Sequence, residues 1–153
     1  MASDPVYLQA FKAIADLIAV DFSSGYSGLD LSGSGQVVRG IMPQAPMIPS
    51  ACVFMFDIKE DFGQSLDRYQ AEIVFEIYGF CGGTSLVDRM DNACRLGADL
   101  INALTTDRTL GLNGLTDDVI CNFSALEGDR YQVEGVAIAY IEVKVKYQSS
   151  SGV

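Results

Sequence analysis

RYQAEIVFEIYGF, residues 68–80, is the stretch that decides the fold. Its apolar and polar side chains alternate, which is the period of a β-strand. The two faces are Tyr69, Ala71, Ile73, Phe75 and Ile77 on one side, and Gln70, Glu72, Val74 and Glu76 on the other. Because the second set is mostly polar, we expect one buried face and one largely wet face, as in an antiparallel sheet that helices cover on one side.

The residues upstream of this strand predict its neighbours. ACVFMFDI, 51–58, is a strongly apolar run that favours a central strand, and the polar KEDFGQSLD, 59–67, predicts a hairpin loop. MPQAPMIPSA, 42–51, holds three of the four prolines and predicts an extended connector, because proline cannot donate to a sheet ladder. FSSGYSGLDLSGSGQ, 22–36, is rich in Gly and Ser and predicts a loop.

Helical periodicity occurs twice. The first helix is predicted from about Pro5 to Val20, with Asp4 as its N-cap and Pro5 at the first helical position. The second is predicted from about Leu86 to Leu104, with Thr84 or Ser85 as its cap. Its apolar stripe is Leu86, Met90, Ala93, Cys94, Gly97, Leu100, Ile101 and Leu104, and Gly97 allows a close approach to the sheet. Its charged residues are expected on solvated faces: Asp88, Arg89, Asp91, Arg95 and Asp99.

NALTTDRTLGLNG, 102–114, predicts a corner between the second helix and the closing strands. We expect a positive φ at Gly111, and Asn113-Gly114 is a strong turn signal. Strands are predicted at 117–126 and 131–148, joined by a turn at 127–130, and a flexible tail at 149–153. Together these helices and strands predict one α+β domain over residues 1–148, with a mostly antiparallel mixed β-sheet and two α-helices packed on one face.

Composition excludes several functions. The net charge is −10 and the pI is near 4.2, which disfavours binding to nucleic-acid phosphates and to anionic membranes. The chain has no histidine, so the commonest general base and metal ligand are missing, and its four cysteines form no CxxC pair. The adjacent carboxylates Glu60-Asp61 and Asp117-Asp118 are expected at loops as solvated charge. We therefore predict no enzyme activity, with no catalytic, cofactor-binding or metal-binding residues and no cofactor.

The N-terminus, MASDPVYLQAFKA, lacks the basic region of a signal peptide, and no apolar run approaches the length that spans a bilayer. We expect a soluble protein that is synthesised in a cytoplasm.

The order of these segments resembles the tail terminator, or tail-completion, proteins of long-tailed bacteriophages over about residues 5–148. The resemblance rests on CVFMFDI joined through an acidic loop to RYQAEIVFEIYGF, on the helix LVDRMDNACRLGADLINAL, on the corner TTDRTLGLNGLTDDV and on the closing VKVKYQ. Asp107-Arg108-Thr109-Leu110-Gly111 is similar to a recurring D-x-T-L-G corner of such proteins.

This resemblance implies a structural virion protein that forms a ring, a hexamer in most such families. The ring caps the tail tube and joins it to the neck protein at the head, and DNA passes through the bore without specific binding. The acidity fits a bore that repels the DNA backbone. No membrane partner is expected, and the protein belongs in the virion after its synthesis in the host cytoplasm.

The predicted contacts with neighbouring subunits or with the tube lie in three segments. They are Met42, Met47 and Ile48 in the proline-rich connector, Asp61 and Phe62 in the hairpin loop, and Arg108, Thr109, Leu110 and Gly111 in the corner. Three alternatives stay open: a tail tube or other neck subunit, a non-viral α+β adaptor, and a small-molecule enzyme or binding domain. A small-molecule site would need a deep pocket with converging polar groups.

Overall fold

The described residues form a five-stranded mixed sheet with two helices on one face, so the predicted α+β class is confirmed. The computed structural model describes residues 4–40, 47–61, 68–112, 115–128 and 135–150, and for residues 60, 61, 68–70 and 148–150 it describes the backbone alone. The elements are α1 Val6–Ile18, β1 Val37–Arg39, β2 Ser50–Asp61, β3 Arg68–Cys81, α2 Leu86–Thr105, β4 Asp118–Glu127 and β5 Ala137–Ser150.

The strand order is β1-β2-β3-β5-β4. β1 is parallel to β2, and the described pairs β2–β3, β3–β5 and β4–β5 are all antiparallel. β2 pairs with β1 only through residues 51–53, so among the described residues its second half has a partner on one side only. A β-bulge at Phe56, between Met55 and Asp57, interrupts that half of the strand.

The main core lies between the sheet and both helices. β3 contributes Ala71, Ile73, Phe75 and Ile77, as the alternation predicted, and β5 contributes Ala137, Ala139, Ile141, Val143 and Val145. α1 buries Ala10, Ile14 and Ile18, and α2 buries Ala93, Leu96, Leu100 and Leu104. Burial of each valine, leucine, isoleucine or phenylalanine among them stabilises the fold by about 1.5–3 kcal/mol relative to its exposure to water. We call this side of the sheet the helix face.

The start of α1 differs from the prediction. Pro5, in an extended conformation (φ −62°, ψ 155°), is the N-cap, and its carbonyl oxygen accepts from the backbone N–H groups of Leu8 and Gln9. The Asp4 carboxylate instead accepts from Lys12 Nζ at 2.7 Å. Asp4 as N-cap and Pro5 as first helical residue are therefore wrong by one position, because Pro5 does not take up helical angles. Ala19 also leaves the helical region, so α1 ends before Val20.

The start of α2 confirms the prediction, since the Ser85 hydroxyl accepts from the Asp88 N–H at 3.1 Å. Gly97 also behaves as predicted, because a Cβ there would lie 2.3 Å from the ring of Phe123 on β4. One charged residue does not: Asp99 was expected in solvent, but it is 4% exposed and accepts hydrogen bonds from the loop after α1. Its partners are too far away in sequence for a helical period to reveal them.

The strand ends shift by a few residues. β2 continues through Asp61, so Glu60 and Asp61 belong to a strand and not to the predicted hairpin loop, whose residues 62–67 lie outside the described chain. β5 begins at Ala137 because Gly135 has φ +76°, which ends extended backbone there. β5 then runs through Ser150, two residues into the segment predicted as tail. Residues 131–134 and 151–153 lie outside the described chain.

Candidate interaction surfaces

The corner after α2 is held together by its own side chains. The Asp107 carboxylate accepts from the N–H and the hydroxyl of Thr109, and these bonds hold the pKa of Asp107 below its ordinary value. Thr116 Oγ1 donates to the carbonyl oxygen of Thr109. Leu110 and Gly111 both have positive φ, 56° and 72°. The predicted left-handed Gly111 is thus confirmed, and the corner extends it by one buried leucine.

The corner is also tied to β4. Arg108 Nε donates to Asp118 Oδ1, and Arg108 Nη2 donates to the carbonyl oxygen of Val119, both at 2.6 Å. The hydrogen bond from Arg108 is the main reason why the pKa of Asp118 is lowered. Asp118 is therefore the first residue of a strand with a specific ionic partner, not one of two loop carboxylates. The corner fixes where β4 begins relative to α2; its predicted role in subunit contacts stays a prediction.

Four exposed apolar side chains lie at one end of the sheet. Met47 and Ile48 precede β2 and are 54% and 43% exposed, and Leu86 and Val87 begin α2 and are 47% and 71% exposed. The two pairs meet at the same end because Ser50 at the start of β2 pairs with Phe80 near the end of β3. A Cβ on Gly82, in the connection from β3 to α2, would lie 3.6 Å from Ile48 Cγ2. We call these four residues the end patch.

Two of the end-patch residues were predicted from sequence and two were missed. Leu86 was assigned to the buried stripe of α2, but as the first helical residue it extends past the sheet that buries Ala93 and Leu100. Two other predicted contact residues, Met42 and Phe62, lie outside the described residues. Asp61 is described only as the last backbone position of β2.

The side of the sheet without helices is not simply wet. Its apolar cluster consists of the buried Cys52, Phe80, Val136 and Ile138, with Val38, Phe54, Tyr78, Leu126 and Tyr140 packed against them. The Phe54 and Tyr78 rings meet edge to face at 5.8 Å, and the Tyr78 and Tyr140 rings lie 5.2 Å apart. The prediction of a largely wet second face is therefore wrong in the part of the sheet where this apolar cluster lies. We call this side the open face.

Next to the aromatic cluster formed by Phe54, Tyr78 and Tyr140, the open face carries a pair of acidic side chains, with Lys144 and Lys146 farther along β5. Glu76 of β3 and Glu142 of β5 are directly opposite each other in the strand register. The Tyr140 hydroxyl donates to Glu76 Oε2, and Lys144 Nζ lies 3.6 Å from Glu142 Oε1. Burial and then the bond to Glu76 raise the pKa of Tyr140, so its hydroxyl stays protonated as a donor.

An open groove of about 320 Å³ lies where the aromatic and acidic parts meet the outer edge of β2. It is lined by Phe54, Met55, Phe56, Glu76 and Tyr78. Phe56 is 69% exposed because the bulge turns it out of the alternating pattern. Phe54, Met55 and Phe56 are three consecutive apolar residues, a pattern that predicts a buried central strand and therefore does not reveal the groove.

Cys52, Cys81 and Cys121 are buried or half-buried, whereas Cys94 on α2 is exposed. Burial raises the pKa of Cys52 and of Cys81 to about 12, and that of Cys121 to about 11, so these thiols are protonated at neutral pH. Among the described residues, no group of three or more cysteine or carboxylate side chains is placed to hold a metal ion. Neither described helix is long and apolar enough to cross a membrane.

No family model and no curated protein sequence matches the chain.

Proposed function

We propose that this chain is a structural virion protein, the tail terminator of a long-tailed phage. In this proposal its copies form a ring, a hexamer as in most families that it resembles. The ring caps the tail tube, joins it to the neck protein and leaves a bore for DNA. The protein is not an enzyme and requires no cofactor.

The observation that supports an assembly role best is the end patch. Single exposed apolar residues are common on protein surfaces, but a group at one end of a sheet marks an interaction site. All four side chains of the end patch are more than two-fifths exposed. Methionine, isoleucine, leucine and valine are among the side chains whose burial stabilises a protein most. A neighbouring subunit or the tube rim would remove this surface from water.

The sheet edge gives a second argument. β4 is ten residues long and, among the described residues, pairs with β5 on one side only. Unpaired edges are usually protected in stable proteins, and a neighbour in a closed ring can provide that protection. Arg108 fixes the start of β4 from the corner, so the corner would set the angle at which this edge meets the next subunit.

The charge supports the path of the DNA. With a net charge of −10, a ring of several copies has an acidic surface that repels phosphates. Such a bore would let DNA slide without being held. A tail tube subunit would share this property, so charge alone does not separate the two roles.

The test compares a double substitution in the end patch with a control substitution at an exposed apolar residue elsewhere. Met47→Gln with Val87→Gln removes apolar surface from the end patch, and Tyr26→Gln is the control, because Tyr26 is 69% exposed on the loop after α1. Losing about 1.4 kcal/mol at each contact weakens that contact about tenfold. We expect the double variant to lose ring formation or tube capping at concentrations where the control retains both, as judged by light scattering and negative-stain imaging. Unchanged assembly of the double variant contradicts the proposed contact.

A further inference from the structure

We propose that the groove on the open face is a binding site for an arginine side chain presented by a partner protein. The site consists of the rings of Phe54, Phe56 and Tyr78 and the carboxylate of Glu76. It does not depend on ring formation, so it stands or falls separately from the terminator proposal.

Aromatic rings make the first half of the site. Phe54 and Tyr78 pack edge to face at 5.8 Å, and Phe56 stands beside them at the bulge with most of its surface exposed. A cation placed over such rings is attracted by their negative faces. The planar guanidinium group of arginine suits this surface better than the compact ammonium group of lysine, because it stacks on rings and is more weakly hydrated.

Carboxylates make the second half. Like charges that are directly opposite on neighbouring strands are unfavourable, and Glu76 and Glu142 are such a pair. Lys144 lies near Glu142, whereas among the described residues no basic side chain pairs with Glu76. Tyr140 donates to one oxygen of Glu76 and holds the carboxylate in place beside the groove. An arriving guanidinium group would relieve the repulsion and donate to this fixed carboxylate.

The charge of the chain selects the kind of partner. The chain has 10 lysine and arginine residues against 20 aspartate and glutamate residues, so a second copy offers few cationic side chains to this groove. A partner with an arginine on an extended or protruding segment gains both from the local carboxylates and from the overall field. We therefore assign the groove to a different, basic protein and not to self-association.

The site can be tested on the full chain with methionine methyl groups as reporters, since these signals remain sharp in monomers and in large rings. Met55 lines the groove, and Met90 packs against the core on the helix face and serves as the internal reference. The probes are the peptide acetyl-Gly-Arg-Gly-amide and its citrulline analogue, which has nearly the same shape but no charge. We expect the arginine peptide to shift the Met55 signal with a Kd on the order of 1 mM. The citrulline peptide should bind at least about fivefold more weakly.

Three variants sharpen the result. Glu76→Gln and Phe56→Ser should each weaken the arginine peptide about fivefold, and Glu127→Gln on the far edge strand should leave its affinity unchanged. Phe56→Ser replaces an exposed ring, so it tests the site even if Glu76→Gln disturbs the sheet. Equal shifts with both peptides, unchanged binding to Glu76→Gln, or shifts of Met90 as large as those of Met55 would each overturn the proposal.

Discussion

Replacing Asp99 by asparagine is predicted to release the loop after α1 and to destabilise the whole chain. The Asp99 carboxylate, on the buried side of α2, accepts from the backbone N–H of Tyr26 at 2.9 Å. It also accepts from the N–H of Ser27 at 2.8 Å and from its hydroxyl at 2.6 Å. The loop approaches so closely that a Cβ on Gly25 would lie 2.5 Å from Asp99 Oδ1. The Asp99 carboxylate therefore ties the loop to α2, in addition to backbone hydrogen bonds within the loop such as that from the Phe22 N–H to the Leu29 carbonyl oxygen.

The expected loss follows from the chemistry of the replacement. Asparagine has the same shape but replaces one acceptor oxygen with an NH₂ donor. The remaining oxygen can serve Tyr26, while the Ser27 N–H loses its acceptor and the Ser27 hydroxyl has to rotate away. A hydrogen bond to a charged group contributes about 1.5–3 kcal/mol, and an unsatisfied buried donor costs about 1–3 kcal/mol. We expect the free energy of unfolding to fall by about 2–4 kcal/mol.

The assay is urea unfolding combined with hydrogen exchange at the amides of Tyr26 and Ser27. Asp91→Asn is the matched control, because Asp91 is exposed on the same helix and should change the stability by less than about 0.5 kcal/mol. Asp99→Asn should also accelerate exchange at both loop amides. If the two variants unfold alike, or if the loop amides keep their protection, the argument for Asp99 is refuted.

Three further predictions concern α2 and the corner. Gly97→Ala should destabilise the chain by about 1–3 kcal/mol despite its better helix propensity, and Phe123→Ala should remove most of that penalty in a double-mutant cycle measured by urea unfolding. Ser85→Ala should cost about 1 kcal/mol in the same assay through the lost N-cap. Arg108→Gln should raise the pKa of Asp118 toward its ordinary value. Because the pair stabilises the chain only while Asp118 is ionised, the variant should be less stable than wild type above about pH 4. Urea unfolding at several pH values should show this difference shrinking as the pH falls through the lowered pKa of Asp118.

The strands and helices were predictable because their signals are local. The alternation from Ala71 to Ile77 states which face is buried, and the Ser85 cap lies three residues from the N–H that it accepts from. Gly97 predicts a close approach of α2 to the sheet, because glycine lowers helix stability and its presence on a buried stripe needs such a reason. Such features need only the spacing of neighbouring residues, and the sequence contains that spacing in full.

The features that were missed depend on distant residues. Asp99 meets partners 73 and 72 positions earlier, and no helical period distinguishes it from the solvated Asp91. The apolar cluster of the open face joins residues of all five described strands, so the partial burial of Tyr78 follows only from the strand order. The bulge that exposes Phe56 is likewise invisible in a continuous apolar run. The candidate groove is made from these long-range features.

The measurement that tests the central proposal most directly is the mass and shape of the purified protein with and without isolated phage tail tubes. Light scattering and negative-stain imaging over a range of concentrations would provide both. For a tail terminator we expect closed rings of one size, or monomers that become rings only on tube ends. A monomer at all concentrations that ignores tubes would contradict the terminator role, and open-ended cylinders would identify a tube subunit instead.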